Sequence, residues 1–282
     1  MVKVGFIDYF LDEWHANNYP AWIAQRLGGK YQVCYAYGVI DSPRAGGLTN
    51  QQWADKYGIT LLDSMEEVIE KSDVLVVLGP DNPETHEMLT DLPLKSGKLT
   101  YVDKTFATDT AAALRIFANA DTHGTKCFST SALRYSSELQ QVDKSAIHKL
   151  YTEGPGNFEI YSIHQIEPIV ALMDTPAEKV MFLDDGSHPS MVIAFADGRL
   201  AQMHQCPGLS FRLTPVDAHN NAKDYVVKSD FFGNFIDSML EFFETGTVPV
   251  PHEQTVQVIA IREAGLKAMQ TPFTWVEVRT DH

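Results

Sequence analysis

At 282 residues, 44% hydrophobic and 21% charged, the chain carries enough apolar side chains for two separate cores and lacks the composition of a disordered segment. Its formal charge of −15 argues against nucleic acid and anionic membranes as partners, since phosphates call for a basic surface, and leaves a small neutral or cationic ligand easier to accommodate. Cys34, Cys127 and Cys206 form no C-x-x-C pair, and neither a secretory leader pattern nor an apolar run of ~18 residues is found, so a disulfide framework, a cysteine zinc site and a membrane span are not expected and the cytoplasm is the expected compartment.

The first part alternates strand and helix signals. Strands are predicted over 2–7, 31–37, 74–78, 100–102 and 125–129, and helices over 18–27, 49–57, 64–71, 86–92 and 108–122. Ser64 followed by Glu66 and Glu67 reads as an N-cap with acidic residues in the first turn. This rhythm predicts a Rossmann-like domain over 1–128, with a parallel sheet covered on both faces. Beyond it come consecutive strand signals at 179–183, 190–196, 200–206 and 209–213, with turns at Asp185-Gly186 and Asp197-Gly198. Helices over 230–244 and 252–269 and a last strand over 274–278 complete a second α/β domain, 129–282, with a predominantly antiparallel open sheet. Apolar positions Val192, Phe195, Met203 and Phe211 suggest that the open face of this sheet buries itself against a second copy.

The turn after the first strand is unusual. A dinucleotide-binding βαβ unit carries G-x-G-x-x-G there, because the backbone turns tightly and approaches the pyrophosphate at a helix N-terminus. Here the three positions hold Asp8, Phe10 and Glu13. Side chains replace close backbone contact, and one like-charge pair about 4 Å apart would cost about 4 kcal/mol at an effective dielectric of 20. A cofactor is therefore expected to bind more weakly than in a glycine-bearing protein. Asp8, Asp12, Glu13 and His15 are also oxygen-rich enough to suggest a cation, but a solvated acidic loop with Asp12 or Glu13 near a helix start is the reading adopted, and no metal is assigned.

Four segments in order resemble the glucose–fructose oxidoreductase, inositol dehydrogenase and MocA family. They are Asp63–Val68 leading into Ser72–Val77; Gly79-Pro80-Asp81-Asn82-Pro83-Glu84-Thr85-His86, similar to a T-P-N-x-x-H loop; Asp103-Lys104-Thr105, in place of E-K-P; and Phe235-Ile236-Asp237 through Pro249-Val250-Pro251 to Glu263-Ala264. The resemblance implies a two-domain oxidoreductase, a homo-oligomer, using NAD or NADP on a secondary hydroxyl or ketone of a carbohydrate-like small molecule. It places Pro80, Asn82, His86 and Asp103 beside the cofactor, together with Asp8 and Phe10.

Lys104 is the leading catalytic candidate, since it follows a strand at the carboxyl edge of the sheet and could polarise a substrate oxygen; alone it also reads as a solvated loop lysine. His164 aligns with the histidine of D-x-G-x-H-x-x-D, which implies a proton acceptor; by itself it reads equally as a core histidine. Glu167 fills the last acidic position of that pattern, but Ile160 replaces the first, so the usual two-group relay is not expected. Tyr161 and Arg134 are further substrate-binding candidates, although Arg134 and His86 alone also read as packing or surface residues. Asp41 suits adenosine ribose hydroxyls and points to NAD, whereas Arg44 suits a 2′-phosphate and points to NADP. Lys104 and His164 are expected to meet one small substrate. The competing reading is a non-catalytic descendant, a sensor or partner subunit, that binds a small molecule without normal cofactor binding.

Overall fold

A computed structural model describes residues 1–183 and 189–281. It divides into two compact units, one comprising Met1–Ala107, Ala112–Thr130 and Ile236–Pro251, the other Thr108–Ala111, Ser131–Phe235 and His252–His282.

The first unit is built on β1 (Val2–Asp8), α1 (Trp14–Ala24), β2 (Tyr31–Gly38), α2 (Asn50–Tyr57), β3 (Thr60–Leu61), α3 (Met65–Lys71), β4 (Val74–Val77), α4 (His86–Lys95), β5 (Thr100–Val102), α5 (Thr110–Thr122) and β6 (Cys127–Phe128). The six strands pair in parallel in the order β3-β2-β1-β4-β5-β6. The order reverses between β1 and β4, so the ends of β1, β4 and β5 open on the crevice where such sheets take ligands. Local chemistry sets the boundaries. Thr49 and Gln52 form a capping box on α2, Gly58 closes that helix at φ 66°, and Ser64 caps α3. α1 begins at Trp14 rather than at 18, because the Glu13 carboxyl accepts the backbone N–H groups of His15 and Ala16.

The second unit holds α6 (Ser137–Gln140), β7 (Lys149–Gly154), α7 (Phe158–Met173), β8 (Ala177–Phe182), β9 (Ser190–Phe195), β10 (Leu200–Gln205), β11 (Arg212–Val216), β12 (Tyr225–Val226), the start of α8 (Phe231–Thr245), α9 (His252–Ala268) and β13 (Trp275–Glu277). Its sheet runs β12-β11-β7-β10-β9-β8-β13, antiparallel except for the β7/β10 pair. Asp197-Gly198 turns the β9/β10 hairpin, with Gly198 at φ 84°; the expected Asp185-Gly186 turn lies outside the described residues. The strand expected over 209–213 begins later, because residues 206–209 close a turn. α7 and α9 pack together against this sheet.

One expectation about the open face changes. Phe195 and Met203 are buried and belong to the core. The outward row pairs Gln202 with both Tyr151 and Val192, and the exposed Leu200 lies two positions along the same strand.

Candidate active site

Three carboxylates meet at the carboxyl ends of β1 and β5. Asp8 closes β1, Asp103 follows β5, and Glu13 caps α1; all three are at most 2% exposed. The expected solvated acidic loop is instead a buried one, because its polar groups are bonded within the chain. Asp12 accepts from Leu48 N at 2.8 Å and from Asn17, whose own carbonyl takes Trp53 Nε1 at 2.9 Å. Asn50 accepts from Leu11 N at 3.0 Å and donates to the carbonyls of Gly38 and Ile40. Of the four residues expected to cluster, Glu13 and His15 bond each other while Asp8 and Asp12 take other partners, and no group of three is placed to share a metal ion among the described residues.

Burial divides the carboxyls by charge. Desolvation, reinforced by Glu13 and Asp103, raises the Asp8 pKa well above the usual carboxylate range and so favours its neutral form. Desolvation also dominates at Glu13; His15 and the capped amides offset it only in part, leaving a pKa of about 7. At Asp103 burial would raise the pKa, but His15, Lys104 and the Tyr101 hydroxyl together outweigh it and keep the carboxyl below its ordinary value. His15 Nδ1 hydrogen-bonds Asp103, and Tyr101 Oη and Lys104 N both donate to the other oxygen at 2.9 Å. Burial thus disfavours the full charges expected on Asp8 and Glu13.

One atom in this cluster has nothing to bind. Asp8 Oδ1 accepts from Tyr9 N at 2.7 Å, but the buried Oδ2 has no hydrogen-bond partner among the described residues. In a neutral Asp8 the proton belongs on Oδ2, the oxygen that is not already accepting, which makes it an unused donor.

Lys104 is 8% exposed, not a solvated loop residue. Its ammonium reaches the Pro80 carbonyl at 3.3 Å and lies 3.9 Å from Asp81, which in turn stands 3.7 Å from Arg44. The Arg44 guanidinium lies 5.4 Å from the centre of the Phe10 ring. Lys104, Pro80, Asp81, Arg44 and Phe10 thus form one rim at the sheet edge. Asp41 is exposed and accepts from Asn50 N, and Asn82 donates to Glu84. His86, expected beside a cofactor, is fully buried; its ring nitrogens face the Phe106 and Gly79 carbonyls at 3.0 and 3.1 Å, and desolvation lowers its pKa. It fastens the 79–82 loop and presents no surface to a ligand.

In the second unit, His164 sits in the middle of α7 rather than on a loop. It is half-buried, with Tyr161 and Phe211 edge-on at 5.5 and 5.9 Å and Nδ1 2.8 Å from Ser131 Oγ. Ile160, one turn earlier, is exposed and contributes no carboxylate. A serine hydroxyl thus holds the imidazole, in keeping with the expected lack of a carboxylate at position 160. Glu167, one turn from Ile163 and nearly buried, accepts from Arg134 Nε at 2.7 Å, and Arg134 Nη1 reaches Gln254 at 2.8 Å. Arg134, 13% exposed, and the buried Glu167 therefore form a largely buried ion pair next to the histidine segment.

Sequence comparison finds no match, either to a protein-family profile or to a curated protein. Solved structures do match. A myo-inositol 2-dehydrogenase from Lactobacillus plantarum superposes with a TM-score of 0.80 at 12% identity, over 99% of both chains. GenD2 from gentamicin A biosynthesis, in complex with NAD, gives 0.78 at 14%, covering 99% of this chain and 97% of that one. A UDP-N-acetylglucosamine 3-dehydrogenase from Acidithiobacillus ferrooxidans gives 0.75 at 15%, over 96% and 97%. The chain has the fold of the sugar and cyclitol dehydrogenases. At these identities the likeness carries the architecture, and the chemistry must rest on this chain's own residues.

Proposed function

We propose that this protein is an oxidoreductase of the sugar and cyclitol dehydrogenase type, acting with NAD or NADP on a secondary hydroxyl or ketone of a carbohydrate-like molecule. The observation that carries the reading is Lys104, an ammonium group held at the crevice edge of a parallel sheet by one backbone carbonyl and a distant carboxylate. Such a group can give a hydrogen bond to a substrate oxygen and stabilise the charge that develops there.

The fit of a dinucleotide is tested by two groups. Asp8 offers a buried oxygen without a partner among the described residues, which when protonated suits a phosphate oxygen, while the amides of His15 and Ala16 suit phosphate only when Glu13 is not on them. With Glu13 moved aside the residues fit. Those amides and Asp8 would then hold the pyrophosphate, and Asp41 or Arg44 the adenosine ribose. When bound, the nicotinamide supplies the hydride acceptor.

The remaining work falls to the chain. Lys104 would hold the reacting oxygen. His164, oriented through Nδ1 by Ser131, would take the hydroxyl proton, and the Arg134–Glu167 pair would keep the start of the second unit and α7 in register. Homo-oligomer formation through the Tyr151–Gln202–Val192 face belongs to the same proposal. The capping of α1 by Glu13 favours the second reading, a small-molecule sensor without cofactor. Fluorescence titration with NADH and NADPH separates the two: binding, together with reduction of NAD or NADP by a panel of polyols and cyclitols, supports the enzyme. Absence of binding by either nucleotide supports the sensor. In the enzyme, Lys104→Ala should lower turnover by about 10²–10⁴-fold while moving the melting temperature little; unchanged turnover would remove Lys104 from the mechanism.

A further inference from the structure

Resting on the dinucleotide reading above, we infer that Glu13 is an internal stand-in for phosphate, whose carboxyl must leave the α1 amides before a pyrophosphate can take them. Three observations converge on it. The Glu13 carboxyl binds the N–H groups of His15, at 2.7 Å, and of Ala16, the donors that a helix start offers to an anion. Beside it Asp8 keeps a buried oxygen without a partner among the described residues, so the place is not fully satisfied by the chain's own groups. The surrounding loop is held by Asn50, Asp12 and Asn17, which leaves the Glu13 side chain as the group whose departure would free the amides.

The groups facing Glu13 are Asp8 at the end of β1, Asp103 after β5, and His15 and Tyr19 on α1. Lys104 lies beside Asp103 and lowers that carboxyl's pKa. A Glu13 that ionises near pH 7 grips the amides as an anion and repels phosphate above that pH, and lets go more readily below it. Phosphate-dependent binding should therefore weaken as pH rises, by about tenfold between pH 6 and pH 8 if one ionisation governs it.

The test measures NADH and ADP-ribose binding by calorimetry at pH 6 and pH 8, using the intact protein, Glu13→Gln and Glu13→Gly. Glu13→Gln retains a capping oxygen without the charge, which guards against loss of the helix start; Glu13→Gly removes the competitor. The expected result is a tenfold pH dependence in the parent, a flat profile in Glu13→Gln, and tighter binding at pH 8 in Glu13→Gly. Both ligands binding the parent with no pH dependence, and Glu13→Gly no tighter, would overturn the stand-in role while leaving the dinucleotide reading intact. ADP-ribose following the expected pattern while NADH fails to bind would uphold the stand-in and defeat the nicotinamide reading. No binding of either ligand to any of the three proteins would overturn both.

Discussion

Two buried carboxylates show how differently the same chemical group can be housed. Glu167 in the second unit has a guanidinium on it, while Glu13 in the first has backbone amides, a histidine and two further carboxyls around it. The first pairing matches charge with charge. The second places like groups together in a dry environment, which raises the pKa of both Asp8 and Glu13. The contrast separates a carboxylate that holds the fold from one that remains able to change state.

Removing a partner should expose the difference most sharply at the paired site. Arg134→Met leaves Glu167 buried without its guanidinium, and about 3–5 kcal/mol of stability should be lost by urea denaturation. A loss below about 1 kcal/mol would mean that the pair contributes no more than a surface one.

The first unit should show its character through pH. Glu13 has a folded pKa of about 7 against an ordinary 4.5, so its contribution to stability is complete below pH 4.5 and lost as pH rises to about 7. The loss is on the order of 3 kcal/mol. Asp103 has the opposite sign: its contribution is present above pH 3.8 and fades in stronger acid. Melting temperatures at pH 5 and pH 8 should therefore fall more steeply in the parent than in Glu13→Gln, and equal slopes would show that Glu13 is not the titrating group.

The smallest effect belongs to Ser131. Ser131→Ala deletes the hydroxyl beside His164 Nδ1, which should cost about 1 kcal/mol of stability and reduce turnover by roughly tenfold, with the pH–rate profile shifted. An unmoved profile would show that Ser131 does not set the state of His164.

How much of this was legible in sequence follows the reach of each interaction. Thr49 with Gln52, Ser64, and Asp197-Gly198 act within a few residues, and the elements they delimit were readable. α7 was not. Twelve of its sixteen residues are buried, so it has no polar face from which a helical period could be read. The candidate residues Lys104, His164, Arg134 and Glu167 could be named from sequence, but their partners could not. Ser131 lies 33 residues from His164, Asn50 lies 39 from Leu11, and His15 lies 88 from Asp103. Only folding brings them within bonding distance. The three non-glycine positions were legible too, yet their charge was not, because ionisation depends on burial that a linear sequence does not display.

The position of Trp14 has a practical consequence. Its half-exposed indole directly follows Glu13, with the His15 ring edge-on at 5.2 Å and Trp22 at 5.6 Å. An indole so placed is an optical probe built into the first turn of α1, since its emission responds to nearby charge and to the packing of its neighbours. Protonation or departure of the Glu13 carboxyl can thus be followed in unlabelled protein, in real time, by stopped-flow spectroscopy.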